Sequence, residues 1–234
     1  MIRVALLTVL ALMSSVAVAD QDHPEVDCAK IKNYAAAGDR AYKAGQYEKA
    51  RDSYTDQVGW SETCELSEAA IATAYNNVAL TWIRQGEYLK ARAWLMIKKD
   101  HPRSQYNLNL IKDKLAALPA PAGPAGEFWQ YAGRGMWSSY SISKKSGKYH
   151  LIFDGLYPGL MGMYNGPNMG SLEGDVIIAN NKGVFHQQEE GSTDEFGNCE
   201  VSMNFGADTL TTSVKGDCGF GHNVSAEGEY LRVK

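Results

Sequence analysis

Three methionines near the middle of the chain have a spacing that could bind copper. Met161 and Met163 are separated by one residue, and Met169 follows in the same glycine-rich stretch. Thioether sulfurs suit Cu(I), and His150 or His222 could complete such a site. Methionine is also an adaptable side chain that fills gaps in cores and under loops. The sequence favours this second interpretation, so we predict no metal and no cofactor.

Carboxylates are concentrated in one later segment of the chain. They belong to Glu189, Glu190, Asp194, Glu195 and Glu200. Such oxygen ligands can hold Ca²⁺, but their spacing does not match an EF-hand loop. A run of like charges is usually a solvated loop, which is the interpretation we favour. The same loop could face a basic protein partner.

Motifs for nucleophilic or metal-dependent catalysis are absent from the sequence. There is no G-x-S-x-G, no H-E-x-x-H and no phosphate-binding G-x-x-x-x-G-K-[ST], and the five histidines are scattered singly. We therefore predict a protein without enzymatic activity. A pair of acids for glycoside hydrolysis is set by the fold and not by spacing, so a cryptic hydrolase stays an alternative.

The first 19 residues have the features of a secretory signal. Arg3 gives a positive start, residues 4–13 are apolar, and Ala17-Val18-Ala19 form a small-residue cleavage site. The apolar run is about half of the roughly 20 residues that span a bilayer. We predict that residues 1–19 are removed and that the mature protein is periplasmic or secreted, without a membrane span.

Export determines how the four cysteines are interpreted. In an oxidising compartment an even number of cysteines predicts two disulfides, for which three connectivities exist. Pairing within each half, Cys28 with Cys64 and Cys199 with Cys218, is the economical choice if the halves are separate domains. No C-x-x-C and no Cys/His cluster with metal-ligand spacing supports another use.

The periodicity of apolar residues divides the chain into two halves. Steps of three and four residues predict helices at about 28–44, 47–58, 66–85, 88–99 and 103–118. Alternation predicts strands at about 135–143, 148–153, 172–179, 184–189, 200–205, 209–214 and 226–233. Prolines and glycines mark a spacer between them. The predicted domains are a signal peptide at 1–19, a helical domain at 20–118, a linker at 119–126 and an antiparallel β domain at 127–234.

The helical half repeats one pattern with an offset of 41 residues, as from Tyr34 to Tyr75. The matching positions are Tyr34, Ala37-Gly38, Gly45-x-Tyr47, Ala50 and Tyr54, then Tyr75, Val78-Ala79, Trp82, Gly86-x-Tyr88, Ala91, Leu95 and Pro102. This pattern resembles the tetratricopeptide repeat (TPR) family over residues 28–118. The period of that family is 34 residues, so the longer offset implies an insertion of about seven residues. We place the insertion at residues 59–65.

The resemblance implies two helical repeats and a closing helix, with a groove that docks a protein partner. On the family pattern, Asn77 falls on a groove position that often holds a peptide backbone, and Asn107 looks like its counterpart in the closing helix. Arg84 and Arg103 could bring positive charge to the same face, suited to an acidic peptide or a C-terminal carboxylate. Alternatively, all four are ordinary solvated residues of amphipathic helices.

Aromatic residues crowd the start of the β half. They are Phe128, Trp129, Tyr131, Trp137, Tyr140, Tyr149, Tyr157 and Tyr164. Exposed, they would form a stacking platform for a sugar or a peptide. Buried, they would form the β core and its contact with the helices, which we favour because aromatic residues dominate such cores.

These observations predict an α+β protein of two domains. A TPR-like α-solenoid of two repeats plus a closing helix precedes an antiparallel β-sandwich or small β-barrel, and the β half resembles no family. The predicted function is an exported, non-enzymatic protein-binding protein of the bacterial cell envelope, whose β half could hold an envelope ligand or an enzyme. The alternative is an inhibitor or immunity protein that presents its acidic loop to a basic enzyme such as a wall hydrolase. A formal net charge of -4 argues against a nucleic-acid partner.

Overall fold

The computed structural model of this 234-residue chain describes residues 24–145, 147–188 and 198–234. Its N-terminal half consists of the helices α1 (Pro24–Lys43), α2 (Tyr47–Thr63), α3 (Glu68–Gln85), α4 (Tyr88–Met96) and α5 (Pro102–Ala116). Gly45 and Gly86 end α1 and α3 with φ angles of 73° and 80°, a left-handed conformation that favours glycine. No helix in the described ranges is long and apolar enough to cross a bilayer.

The first two helices form a closely packed hairpin. Ala50 is fully buried, and the ring of Tyr54 lies over Gly38 at the position that a Cβ would need. The disulfide Cys28–Cys64 joins the start of α1 to the residue after α2, with the two Cα atoms 5.8 Å apart. The hairpin is therefore closed by a turn at one end and by a covalent bond at the other.

The second half is an antiparallel β-barrel. Its strands are β1 (Gly126–Gly133), β2 (Met136–Lys145), β3 (Lys148–Tyr157), β4 (Asn168–Ala179), β5 (Lys182–Gln188), β6 (Asn198–Phe205), β7 (Thr209–Gly216) and β8 (Gly228–Arg232). Each strand pairs with the next, and β8 pairs with β1, which closes the barrel. A short helix, α6 (Gly162–Asn165), lies between β3 and β4. Large side chains such as Phe128, Tyr140, Phe153 and Tyr230 fill the interior.

The helices lie against the outside of the barrel. Tyr131 and Trp137 of β1 and β2 point outward and pack against Tyr75 and Trp94 of α3 and α4, with ring centroids 5.2 to 6.0 Å apart. With Trp129, which packs on Trp137, these side chains form what we call the aromatic seam. The seam joins the two halves through buried apolar surface.

The predicted fold class is wrong. The sheet closes into a barrel of eight strands, which excludes a sandwich. The structure therefore does not show the predicted solenoid beside a sandwich: a barrel covers one side of α2, α3 and α4 along the seam. The prediction missed β1, whose residues use both faces: Phe128 fills the barrel while Trp129 and Tyr131 contact the helices. Such a strand lacks the alternation of apolar and polar residues on which the prediction relied.

The predicted insertion at residues 59–65 is mostly helical, because α2 continues to Thr63. Gly59 lies within this extension, where a Cβ would lie 2.6 Å from the sulfur of Met163 in α6. A glycine at this position therefore serves close packing and does not break the helix.

Both predicted disulfides are present, and the Cα atoms of Cys199 and Cys218 are 4.7 Å apart. The predicted signal at 1–19 lies outside the described residues.

Candidate partner-binding site

The residues predicted to bind a partner meet at a cleft between α3 and α5. The cleft has a volume of about 360 Å³, and we call it the helix cleft. Its lining residues are Asn76, Asn77, Leu80, Pro102, Arg103, Tyr106 and Asn107. Three of the four predicted residues, Asn77, Arg103 and Asn107, are therefore brought together.

Buried amides form the floor of the helix cleft. Asn107 donates from Nδ2 to Oδ1 of Asn76 at 2.7 Å, and Asn76 donates to Oγ of Ser104 at 3.0 Å and to the carbonyl of Ala72 at 2.7 Å. All of these side chains are at least nine-tenths buried. Asn107 thus joins α5 to α3, and one of the two donors of its amide nitrogen is used inside the protein.

The rim of the helix cleft is exposed. Tyr106 is 70% exposed, and Leu110, one turn later on α5, is 56% exposed. Arg103 is exposed as well, at the start of α5, where the side chain of His101 accepts a hydrogen bond from its main-chain N–H. Asn77 donates to Oε1 of Gln57 at 3.2 Å. The rim therefore offers the ring of Tyr106 and the guanidinium of Arg103 to a partner. Leu110 is not part of the lining of the cleft and extends this exposed surface along α5.

Arg84, the fourth predicted residue, does not line the helix cleft. Its Nε donates to the hydroxyl of Tyr42 on α1 at 2.7 Å, and its guanidinium lies 5.7 Å from the centroid of that ring. Arg84 follows Asn77 by seven residues, which is about 10 Å along a helix axis at 1.5 Å per residue. The two share a helical face but not a site.

A carboxylate at the junction of the two halves was missed by the sequence analysis. Glu62 of α2 accepts a hydrogen bond from the hydroxyl of Tyr75 at 2.8 Å and another from the hydroxyl of Tyr131. Its second oxygen accepts from the main-chain N–H of Arg134 at 2.7 Å. Burial raises the pKa of the Tyr75 and Tyr131 phenols well above their usual value, so both stay protonated donors. Glu62 therefore ties the β1–β2 turn to α2 and α3.

Comparisons with models of protein families, with curated proteins and with solved structures find no match.

The methionines whose spacing could have suited copper face different surroundings. Met163 packs on α2 over Gly59, as a gap-filling side chain would. Met161 is 44% exposed and Met169 68% exposed. Across residues 24–145, 147–188 and 198–234, no group of three or more His, Cys, Asp or Glu side chains could hold a metal ion.

The acidic loop falls largely outside the described residues. Of its five carboxylates, only that of Glu200 is described; it lies on β6, with an oxygen 3.7 Å from Nδ1 of His186. Of the eight aromatic residues, four clearly occupy the two buried environments that the sequence favoured, whereas Tyr157 is exposed. Phe128 and Tyr140 fill the barrel, and Tyr131 and Trp137 form part of the seam.

An ionisable cluster lies on the outer wall of the barrel. Nδ1 of His150 on β3 is 3.0 Å from Asp175, and its Nε2 is 3.2 Å from Glu173, both on β4. Hydrogen bonds to Asp175 and then to Glu173 raise the pKa of His150 above its ordinary value. The charged imidazole therefore pairs with both carboxylates when protonated.

This cluster predicts a pH dependence of stability. The pKa of His150 is raised in the folded protein. The stabilisation of the fold by its charged form is therefore fully present below the unfolded pKa and is lost as the pH rises through the folded pKa. We expect an NMR titration of the His150 ring to give a midpoint above that of the variant Glu173→Gln/Asp175→Asn. Equal midpoints in the two proteins would show that the carboxylates do not hold the proton.

Proposed function

We propose that this protein is a non-enzymatic protein-binding protein whose helix cleft docks a segment of a partner protein. The observation that carries the proposal is the convergence of Asn77, Arg103 and Asn107 on one cleft. An exposed tyrosine stands at its rim, and exposed aromatic side chains near a cleft are frequent anchors of protein interfaces.

The contacts within the helix cleft separate residues that maintain its structure from residues that are available to a partner. The amide network of Asn76, Ser104 and Asn107 is internal and gives the cleft a rigid floor. Tyr106, Leu110 and Arg103 are exposed and supply the contacts. Because Arg103 is cationic, the fitting partner is a segment with an apolar residue next to a carboxylate, either an acidic side chain or a chain terminus.

We propose further that the protein works outside the cytoplasm, in the periplasm of a bacterial cell envelope or as a secreted protein. Two disulfides support this, since such bonds persist in oxidising compartments. The resemblance of the helical half to TPR proteins stays a prediction. So does the alternative of an inhibitor or immunity protein, and no described feature favours it over the helix cleft.

Substitutions at the rim test this function. We expect Tyr106→Ala with Arg103→Ala to weaken partner binding by about 2 kcal/mol or more, because a partner bound in the helix cleft would remove both side chains from water. The measurement is chemical crosslinking of the purified protein in envelope extract, followed by quantification of the crosslinked partner. Truncation of exposed side chains should leave the melting temperature nearly unchanged.

Arg84→Ala is the matched control for this experiment. It removes a guanidinium that is also exposed, but one that belongs to α3 and lies outside the helix cleft. Retention of the partner by Arg84→Ala and its loss from the rim variant would support the proposal. If the unsubstituted protein, the rim variant and Arg84→Ala all capture the partner equally, the helix cleft is not the partner-binding surface.

A further inference from the structure

The barrel wall is split between β4 and β5. Nine residue pairs join β3 to β4 and seven join β5 to β6, but only three pairs near the hairpin join β4 to β5. The last of these is Ile177 with Val184; beyond it the two strands have no ladder with each other. Part of β4, from Asn168 to Val176, thus pairs with β3 on one side and leaves the other edge without a strand among the described residues.

The direction of backbone groups on this edge follows from the pairing. Met169 accepts a hydrogen bond through its carbonyl from the N–H of Gly221, a residue between β7 and β8, at 2.9 Å. Backbone groups of successive strand residues point to opposite sides. Ser171, Glu173 and Asp175 therefore direct their N–H and C=O groups to the same side as Met169, into the split. We call this row the free edge of β4.

A cleft of about 680 Å³ lies at the wide end of the split. Its walls come from the ends of β3 and β4, from Gln187 of β5 and from residues 217–219 after β7. Among the described residues, the charged ones in its lining are Asp154 and Asp217, and none is a lysine or arginine. Leu156 and Met169 add apolar surface. The cleft therefore combines negative charge and an apolar patch with a strand edge that no described strand pairs.

We propose that the free edge of β4 accepts an extended basic segment of a partner polypeptide as an added strand. A strand edge is satisfied by the backbone of another strand, which is how β-augmentation gives affinity. The chain itself uses the first carbonyl of this edge for a main-chain N–H, that of Gly221. The surface is distinct from the helix cleft, so the two proposals stand or fall separately.

The register fixes which side chains of the added strand would be basic. Side chains that point outward beside β4 have Ser171 and Glu173 as neighbours, and Asp154 lies one strand further on, opposite Ser171. Glu173 is exposed, and one of its oxygens lies 3.2 Å from Nε2 of His150, so its remaining acceptor sites favour a lysine opposite it. Inward positions lie beside Gly170 and Gly174, where Phe220 and Phe185 already occupy the space of a Cβ. The added strand therefore alternates basic outward residues with small apolar inward ones.

Amide exchange measured on the full chain tests this placement residue by residue. The probe is an eight-residue peptide that alternates lysine and valine, with a glutamate–valine peptide as its acidic counterpart. We expect the lysine peptide to slow exchange at Ser171, Glu173 and Asp175. Amides of Leu172 and Gly174 are already bonded to β3 and should change little. Two N-methylated versions of the lysine peptide carry the methyl groups on alternate sets of amides. The version whose methyl groups face β4 should give no protection, and the version whose methyl groups face away from β4 should protect as the unmodified peptide does.

A charge variant completes the test. Glu173→Gln should weaken binding of the lysine peptide about two- to fivefold, as expected for one cross-strand charge pair. Glu229→Gln on β8 makes the same chemical change at an exposed position away from the split and should leave binding unchanged. The proposal is overturned if millimolar lysine peptide leaves the alternating amides unprotected, or if both methylated peptides bind alike. It is equally overturned if the acidic peptide protects the edge as well as the basic one.

Discussion

Replacing Glu62 by alanine is expected to lower the free energy of unfolding by about 3 kcal/mol. The substitution leaves the hydroxyls of Tyr75 and Tyr131 and the N–H of Arg134 without their acceptor. Buried donors that lose their partner cost about 1–3 kcal/mol each, and partial relaxation reduces the sum. The measurement is urea-induced unfolding followed by tryptophan fluorescence, which reports on the aromatic seam directly.

Glu48→Ala provides the control for this result. Glu48 is exposed in the first turn of α2, so its loss removes a favourable helix-dipole interaction worth about 0.3–1 kcal/mol and a surface attraction to Arg51. Tyr131→Phe should give an intermediate loss of about 1–2 kcal/mol, since it removes the donor to Glu62 and the acceptor of the Gly135 N–H but leaves the ring in place. If Glu62→Ala destabilises no more than Glu48→Ala, the carboxylate does not hold the two halves together.

Removal of the first disulfide by Cys28→Ser/Cys64→Ser is expected to destabilise the protein by about 4 kcal/mol. The bond closes a loop with a sequence separation of 36, and the chain-entropy relation assigns a loop of that size roughly this contribution. The loss of stability should be confined to the first hairpin, because the bond joins the N-terminal end of α1 to the residue after α2. We expect the amides of α1 to exchange much faster while those of the barrel keep their protection.

The pair Cys199→Ser/Cys218→Ser is the reciprocal control for that experiment. This bond links β6 to the segment after β7, at the end of the barrel. Its removal should loosen that end and leave α1 protected. Unchanged exchange of α1 after loss of Cys28–Cys64 would mean that packing alone holds the first hairpin.

The sequence predicts much of the helical half because its signals are local. Left-handed glycines at 45 and 86 and the proline at 102 mark the ends and starts of helices, and the structure has them at those positions. Closure of the barrel has no such signal. It depends on pairing of β1 with β8, about 100 residues apart in the chain, and β1 lacks a one-sided pattern.

The candidate site shows the same division. Asn77 and Asn107 are grouped by the TPR-like pattern and Arg103 is expected on the same face, and all three line the helix cleft. Arg84 lies too far along α3 to join them. Glu62 could not be found, since its partners come from α3 and from the β1–β2 hairpin. No local pattern distinguishes a half-buried, hydrogen-bonded acid of this kind from a solvated one.

The most direct test of the protein-binding account is site-specific photo-crosslinking from the helix cleft. A benzoylphenylalanine replaces Tyr106 in one protein and Arg84 in another, and each is irradiated in envelope extract. The account predicts one dominant crosslinked protein from position 106 and its absence from position 84, with loss of the product when Arg103→Ala is added. No crosslink from position 106, or the same products from both positions, would contradict it.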